Sequence, residues 1–119
     1  LYSSAASDVY KRQGELGESI FFVLEGGVEV FVRRGEGEVL IDHHGPGRYF
    51  GELALLGDRR RTATVRAAAQ EALSQGERGS GARLLELDAA AFEALRRLSG
   101  RFAAEVDEVA EERKKRIRN

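Results

Sequence analysis

The sequence contains no cysteine, which excludes disulfides, thiolate catalysis and zinc–sulfur centres. It has two histidines, adjacent at His43 and His44. Neighbouring side chains on a strand point to opposite faces, so the pair is ill suited to chelating one ion, no third histidine exists, and no metal is expected. The pair is read as part of a turn. No apolar run is long enough to cross a bilayer, and there is no basic-then-apolar start of the secretory kind. An intracellular, cytoplasmic address without membrane contact is the default expectation. Neither sign of charge is in surplus: 19 Lys+Arg against 20 Asp+Glu leave a formal charge of −1, which gives no global argument for nucleic acid.

What is present suits one small domain. The chain has 119 residues, 42% apolar and 33% charged, ordinary for a soluble globular chain with a modest core. Residues 1–13 stand apart. "SDVYKRQ", Ser7 to Gln13, resembles a translated transposon end used in preparing sequencing libraries, so an artefact is one reading; a partial leading β-strand through Val9 and Tyr10 is the other.

From Gly14 the pattern is regular. "GELGES" is a turn, and "IFFVLE" is a continuous apolar, β-rich run that reads as a strand buried on both faces. Gly26 and Gly27 turn the chain into "VEVFVRR", with Val28, Val30 and Val32 on one face and Glu29, Phe31 and Arg33 on the other. "GEGE" turns again into "VLID". Later come the alternating "TATVRAA", a polar loop through "SQGERGSG", and a strand "ARLLELD". The period then changes. Asp88 can cap a helix over Ala89 to Leu98 with Phe92, Leu95 and Leu98 on one side. Ser99–Gly100 interrupts it, and a second helix from about Arg101 carries Phe102, Val106, Val109 and Ile117 as a narrow apolar stripe. Short strands joined by glycine turns, then helices, predict a mainly β roll or barrel.

The stretch "FGELALLGDRRRTATVRA" carries the chemistry. Gly51 permits a close backbone approach or an unusual φ. "ELALL", Glu52 to Leu56, reads as one helical turn closed by Gly57, and a helical amino terminus offers unpaired N–H groups to an anion. Arg61, nine positions after Glu52, stands where it can return to the same pocket and bind an anion bidentately. A carboxylate beside an anion site is discordant unless it accepts from a hydroxyl, so a ligand bearing both a phosphate and a sugar hydroxyl answers both residues. The plainer alternatives are a solvated arginine in a basic loop and an ordinary helix-start acid; Arg59 and Arg60 are read as surface residues.

The same stretch resembles the phosphate-binding cassette of cyclic nucleotide-binding domains, as in the catabolite activator protein, protein kinase regulatory subunits and gated channels. "QGELGESIFFVLEGGVEVFV" and "LLELDAAAFEALRR" extend the resemblance from about Gln13 to the end. It implies an eight-or-so-stranded, jelly-roll-like β-roll followed by two C-terminal helices: a ligand-binding unit over 14–98 whose hinge helix is about Ala89 to Leu98, and a lid or linker helix over 99–119. It also implies that Gly51, Leu53 and Ala54 line a cyclic phosphate with backbone N–H groups, that Glu52 accepts from the ribose 2′-hydroxyl, and that Arg61 pairs with the phosphate oxygens. Thr62 and Ala63 complete the wall, and Glu18 helps orient the arginine. Thr62 tilts the choice between cAMP and cGMP toward cGMP, though cAMP-preferring members also carry it. Phe102, Val106 and Val109 are candidates for hinge packing or lid contacts. The loop from about Gln70 to Gly81 is longer than usual in the family, whose leading helix and first strand are missing or replaced by residues 1–13. The glycines at 14, 17, 26, 45 and 47 are read as turn positions without chemistry.

The implied function is a regulatory, non-catalytic module controlling an effector such as a kinase or channel outside this segment. The alternative is the same roll with an empty pocket, serving interaction or helix-mediated self-association. The basic ending "DEVAEERKKRIRN" is read as a solvated helix supported by Glu111–Lys115 and Glu112–Arg116 pairs, and no aromatics interleave its cations to stack bases.

Overall fold

The structure, a computed structural model, describes residues 2–5, 9–68 and 82–118. Two antiparallel sheets of four strands make a β-roll, and helices follow. The first sheet has the order β1 (Tyr2–Ala5), β8 (Ala82–Asp88), β3 (Ser19–Glu25), β6 (Tyr49–Phe50); the second has β2 (Val9–Lys11), β7 (Thr64–Ala67), β4 (Val28–Arg34), β5 (Gly37–His44). The segment set apart at 1–13 thus lends one strand to each sheet, β1 beside β8 and β2 beside β7.

The valine alternation in β4 works as the pattern demands: Val28, Val30 and Val32 are buried and meet Phe21, Val23, Phe50, Ala63, Val65, Ala82 and Leu84 between the sheets. Strand β3 is apolar on both faces because it separates two cores. Phe21 and Val23 face the roll, whereas Ile20 joins Leu55, Phe92 and Val106 in a second cluster under the helices. The run ends sooner than expected, since Leu24 is already exposed.

Three helices complete the chain: α1 (Glu52–Leu56), α2 (Ala89–Leu98) and α3 (Gly100–Arg118). Asp88 caps α2 as expected, its Oδ1 accepting from Ala91 N at 2.9 Å. Ser99 then starts α3, its Oγ accepting from Phe102 N at 3.1 Å. Of the apolar side expected on α2, Phe92 is fully buried but Leu98 is 84% exposed. At about 100° per residue Leu98 lies about 120° around the helix from Phe92, outside the packed stripe.

His43 and His44 do not form a turn; they end β5, opposite Glu29 and Val28. A register shift between Val30 and Phe31 leaves Ile41 as the extra residue, so Asp42 and His44 stand opposite the inward-facing Val30 and Val28. Directly opposed residues share a face; His44 is accordingly buried and His43 exposed. The anticipated pairs along α3 also do not form. Lys114 binds Glu111 at 3.2 Å, and Arg116 reaches instead to Asp42 at 2.8 Å. Among the described residues no helix is long and apolar enough to cross a membrane. The loop expected to be long, Gln70 to Gly81, lies outside the described residues.

Candidate functional site

The turn around Gly14–Gly17 and the segment Arg59–Arg61 are zipped together by backbone hydrogen bonds. Gly17 N donates to Arg59 O at 2.6 Å, Arg61 N to Glu15 O at 2.7 Å, and Gly14 N to Arg61 O at 2.8 Å. This fixes where the Arg61 side chain leaves the backbone. It then runs inward, 5% exposed, past Gly17 and over the Phe21 ring, 5.6 Å from its centroid. Nη1 donates to Gly51 O at 3.2 Å and Nη2 to Ser19 O at 3.0 Å. Nε is buried without a partner, and among the described residues no carboxylate forms an ion pair with the guanidinium. Burial pushes Arg61 below its ordinary value, and the more distant charges of Glu86, Glu15 and Glu52 oppose that. A buried cation without a counter-charge is costly, and an anion beside this guanidinium would offset that cost.

Gly51 is indispensable to that arrangement. Its φ is 100°, and a Cβ there would stand 2.7 Å from Arg61 Nη1 and 2.8 Å from Ser19 O. Both features exclude a side chain. The backbone then enters α1 at Glu52, as expected, and Gly57 N closes the turn on Ala54 O at 3.3 Å. The N–H groups of the first turn have no intrahelical partner.

Glu52 is 1% exposed. Its Oε1 accepts from Arg113 Nη1 at 2.7 Å, while Oε2 is buried with no hydrogen-bond partner. Arg113 comes from α3 and lies over the Tyr49 ring, 5.1 Å from its centroid. Burial and the Glu52 charge push the Tyr49 hydroxyl up to about 12. Beyond Glu52, Asp42 and His44 face inward. Burial alone would raise the Asp42 carboxyl, but the His43 N–H and the neighbouring cations hold it below its ordinary value. Burial, reinforced by Arg113, drives His44 down to about 4, so it is neutral at pH 7.

These residues surround one cavity that opens to solvent, with about 540 Å³ of atom-free space counting the solvent at its mouth. Gly51, Glu52, Leu53, Ala54, Arg61, Thr62 and Ala63 all line it. Thr62 is exposed at its rim. Glu18 is not brought to the site: it is exposed, and among the described residues it makes no hydrogen bond or ion pair. The carbonyls of Gly51 and Ser19 orient the arginine instead. Besides the inward Asp42 and His44, the sequence pattern did not point to Gly17, Arg113 or Arg116. A Cβ on Gly17 would sit 2.2 Å from Arg61 Nε. Arg113 and Arg116 line the cavity. The charge pattern around them spells a solvated helix, although their i,i+3 spacing puts both on one helix face.

The model of the family described as "Cyclic nucleotide-binding domain" matches residues 3–97. The chain belongs to the cyclic nucleotide-binding domain family. Similar proteins include the cAMP-dependent protein kinase regulatory subunit of Blastocladiella emersonii, 40% identical over 82 residues, 68% of this chain and 20% of that protein. The type II regulatory subunit of Drosophila melanogaster is 38% identical over 84 residues, 71% of this chain and 20% of that protein. This cyclic nucleotide-binding domain therefore spans about one fifth of the length of those relatives. Its fold is that of the Thermus thermophilus catabolite activator protein, with a TM-score of 0.76 and 24% identity over 97% of this chain and 50% of that one. The regulatory domain of Toxoplasma gondii PKA with cAMP superposes at 0.70 with 21% identity, covering 96% and 38%.

Proposed function

We propose that the domain binds a 3′,5′-cyclic nucleotide and acts as a regulatory module of a longer protein rather than as an enzyme. The observation that carries this reading is the charge of the cavity. Three arginines (61, 113 and 116) and two carboxylates (42 and 52) line it, and the carboxylates are each bound to one arginine of α3. One positive charge is left over, on Arg61, and a cyclic phosphodiester carries one negative charge. Arg61 and the backbone from Gly51 to Ala54 take the phosphate, and the unpartnered Glu52 Oε2 accepts from the ribose 2′-hydroxyl. Thr62 and Ala63 form the wall.

Occupation of the cassette is transmitted through Leu55, which packs with Phe92 of α2 and Val106 of α3 in one buried cluster. A ligand that favours one arrangement of these helices shifts their population by its differential affinity. The effector is a domain outside this segment, a kinase, channel or other output unit, and the site of action is the cytoplasm. The ligand is cAMP or cGMP. The regulatory-subunit relatives favour cAMP as the first ligand to test, and Thr62 at the rim keeps cGMP beside it.

Calorimetric titration with each nucleotide tests the reading. Saturable binding is expected, lost in Arg61→Ala while circular dichroism stays β-rich. A folded protein that takes up neither nucleotide would refute it and favour an interaction module.

A further inference from the structure

We infer that Thr62 is a phosphorylation site, and that a phosphate there competes with the cyclic nucleotide for the uncompensated charge of Arg61. The consequence rests on the cyclic nucleotide reading; the site itself rests on the surface around Thr62. Thr62 lies between α1 and β7, outside any helix or strand, and is exposed. Among the described residues it makes no hydrogen bond. The three arginines before it have different fates. Arg61 turns inward and is 5% exposed. Arg59 and Arg60 stay exposed, and among the described residues neither forms an ion pair; Arg60 only touches the Gly14 carbonyl, at 3.1 Å. Exposed guanidiniums three and two positions ahead of a hydroxyl suit a protein kinase with an acidic substrate groove, which binds such cations by charge-assisted hydrogen bonds. Ser99 stands at the same spacing behind Arg96 and Arg97. Its Oγ is engaged in capping α3, however, and Arg96 is bound to Asp107 at 3.0 Å.

In the transfer, Thr62 Oγ1 attacks the γ-phosphorus of ATP held by the kinase. The Oγ1–P bond forms as the bond from that phosphorus to the bridging oxygen breaks, ADP leaves, and the hydroxyl proton passes to a base of the kinase. The product carries about 1.5 to 2 negative charges at pH 7. It stands on the wall of the cavity that Arg61 also lines. Arg61 Nε has no partner there, and among the described residues no carboxylate pairs with the guanidinium. A cyclic phosphodiester brings its charge to the same cation, so the two anions exclude each other. The exclusion runs in both directions. Backbone hydrogen bonds tie Arg59 and Arg61 to the turn at Gly14–Gly17, and Ala63 and Thr64 are buried. The kinase must loosen that zipper to draw Thr62 into its active site, and a ligand held by Arg61 keeps it closed.

The test treats the folded chain with the free catalytic subunit of cAMP-dependent protein kinase and ATP, and locates phosphate by mass spectrometry. Phosphate at Thr62 is expected, and its incorporation should be at least about tenfold slower in Arg59→Gln/Arg60→Gln, which keeps the parent's nucleotide affinity. Calorimetry with cAMP and cGMP then compares treated and untreated protein. Phosphorylation should weaken the better ligand at least about tenfold, and that ligand at saturation should slow incorporation by a similar factor. Thr62→Val, treated alike, should show no change in its own affinity, which separates any effect of Ser99. Phosphate on Ser99 alone, or on Thr62 only after unfolding, would overturn the site and leave the binding reading standing. Phosphorylation of Thr62 with affinity unchanged would overturn the competition. If untreated protein binds neither nucleotide while Thr62 accepts phosphate, the binding reading fails and the modification site stands. Circular dichroism establishes that each variant is folded.

Discussion

Arg61 fills the space that a side chain on Gly17 would need. The position a Cβ would take on Gly17 lies 2.2 Å from Arg61 Nε, 2.4 Å from Cζ and 2.8 Å from Cδ. The conflict involves the root of the guanidinium, not a flexible tip, and the Gly17 backbone N–H is meanwhile bound to Arg59 O. An added methyl therefore displaces the arginine rather than the turn. Gly17→Ala should weaken cyclic nucleotide binding at least tenfold, and overpacking of this kind should cost about 1–3 kcal/mol of stability. Calorimetry and denaturant unfolding on one preparation would separate the two effects. Unchanged affinity would mean that Arg61 does not hold the phosphate from this position.

Leu55 links the cassette to the helices. It is 6% exposed and packs with Ile20, Phe92 and Val106, and the Phe92 and Phe102 rings meet edge-on with centroids 6.2 Å apart. Leu55→Ala should cost about 2–5 kcal/mol of stability, yet leave phosphate recognition largely in place because Arg61 and the Gly51 backbone are untouched. Ligand should then no longer slow amide exchange in α2 and α3 as it does in the parent. Equal protection in both proteins would show that the helices respond by another route.

Features set by nearby residues were legible in the sequence. The alternation of Val28, Val30 and Val32, the cap at Asp88 and the helical turn between Gly51 and Gly57 each follow from spacing and backbone chemistry within a few positions. So does the pairing of Glu52 with Arg61 in one cavity, once a ligand with two different groups is considered. What stayed hidden depends on chain segments far apart. Arg113 sits in a run of alternating charges that locally spells a solvated helix, and its partner lies 61 residues away. Gly17 looked like one turn glycine among several because its need for a missing Cβ comes from Arg61. The inward Asp42 and His44 depend on the extra residue Ile41 in the ladder, and a single irregularity of that kind moves a side chain to the opposite face.

The two helix caps give a local test of how α2 and α3 are coupled. Asp88 Oδ1 and Ser99 Oγ each satisfy an N–H of a first helical turn, at 2.9 and 3.1 Å. Asp88→Ala and Ser99→Ala should each lower stability by about 1 kcal/mol, seen as a fall in denaturant midpoint with an unchanged slope. Asp88→Asn should recover most of the loss. The two costs should add only if α2 and α3 respond independently, whereas coupling through Phe92 and Phe102 would make the double variant depart from the sum.

His44 should make the fold less stable in acid. Its imidazole is 2% exposed, Nδ1 has no partner, and burial with the Arg113 charge lowers it from 6.5 to about 4. Well above pH 6.5 the side chain is neutral in both the folded and the unfolded chain and contributes no pH dependence. Between 6.5 and about 4 the unfolded chain takes up a proton that the folded one refuses, so stability falls as the pH falls. The loss through this window is on the order of 3 kcal/mol. Asp42, also held below its ordinary 3.8, adds a loss of the same sign at lower pH still, as its carboxyl is protonated. His44→Leu should remove the first loss and not the second. Denaturant unfolding of the parent and the variant at several values from pH 4 to 7.5 would show parallel curves if the imidazole titrated alike in the folded and unfolded chain, and curves that converge toward neutral pH if the folded imidazole refuses the proton.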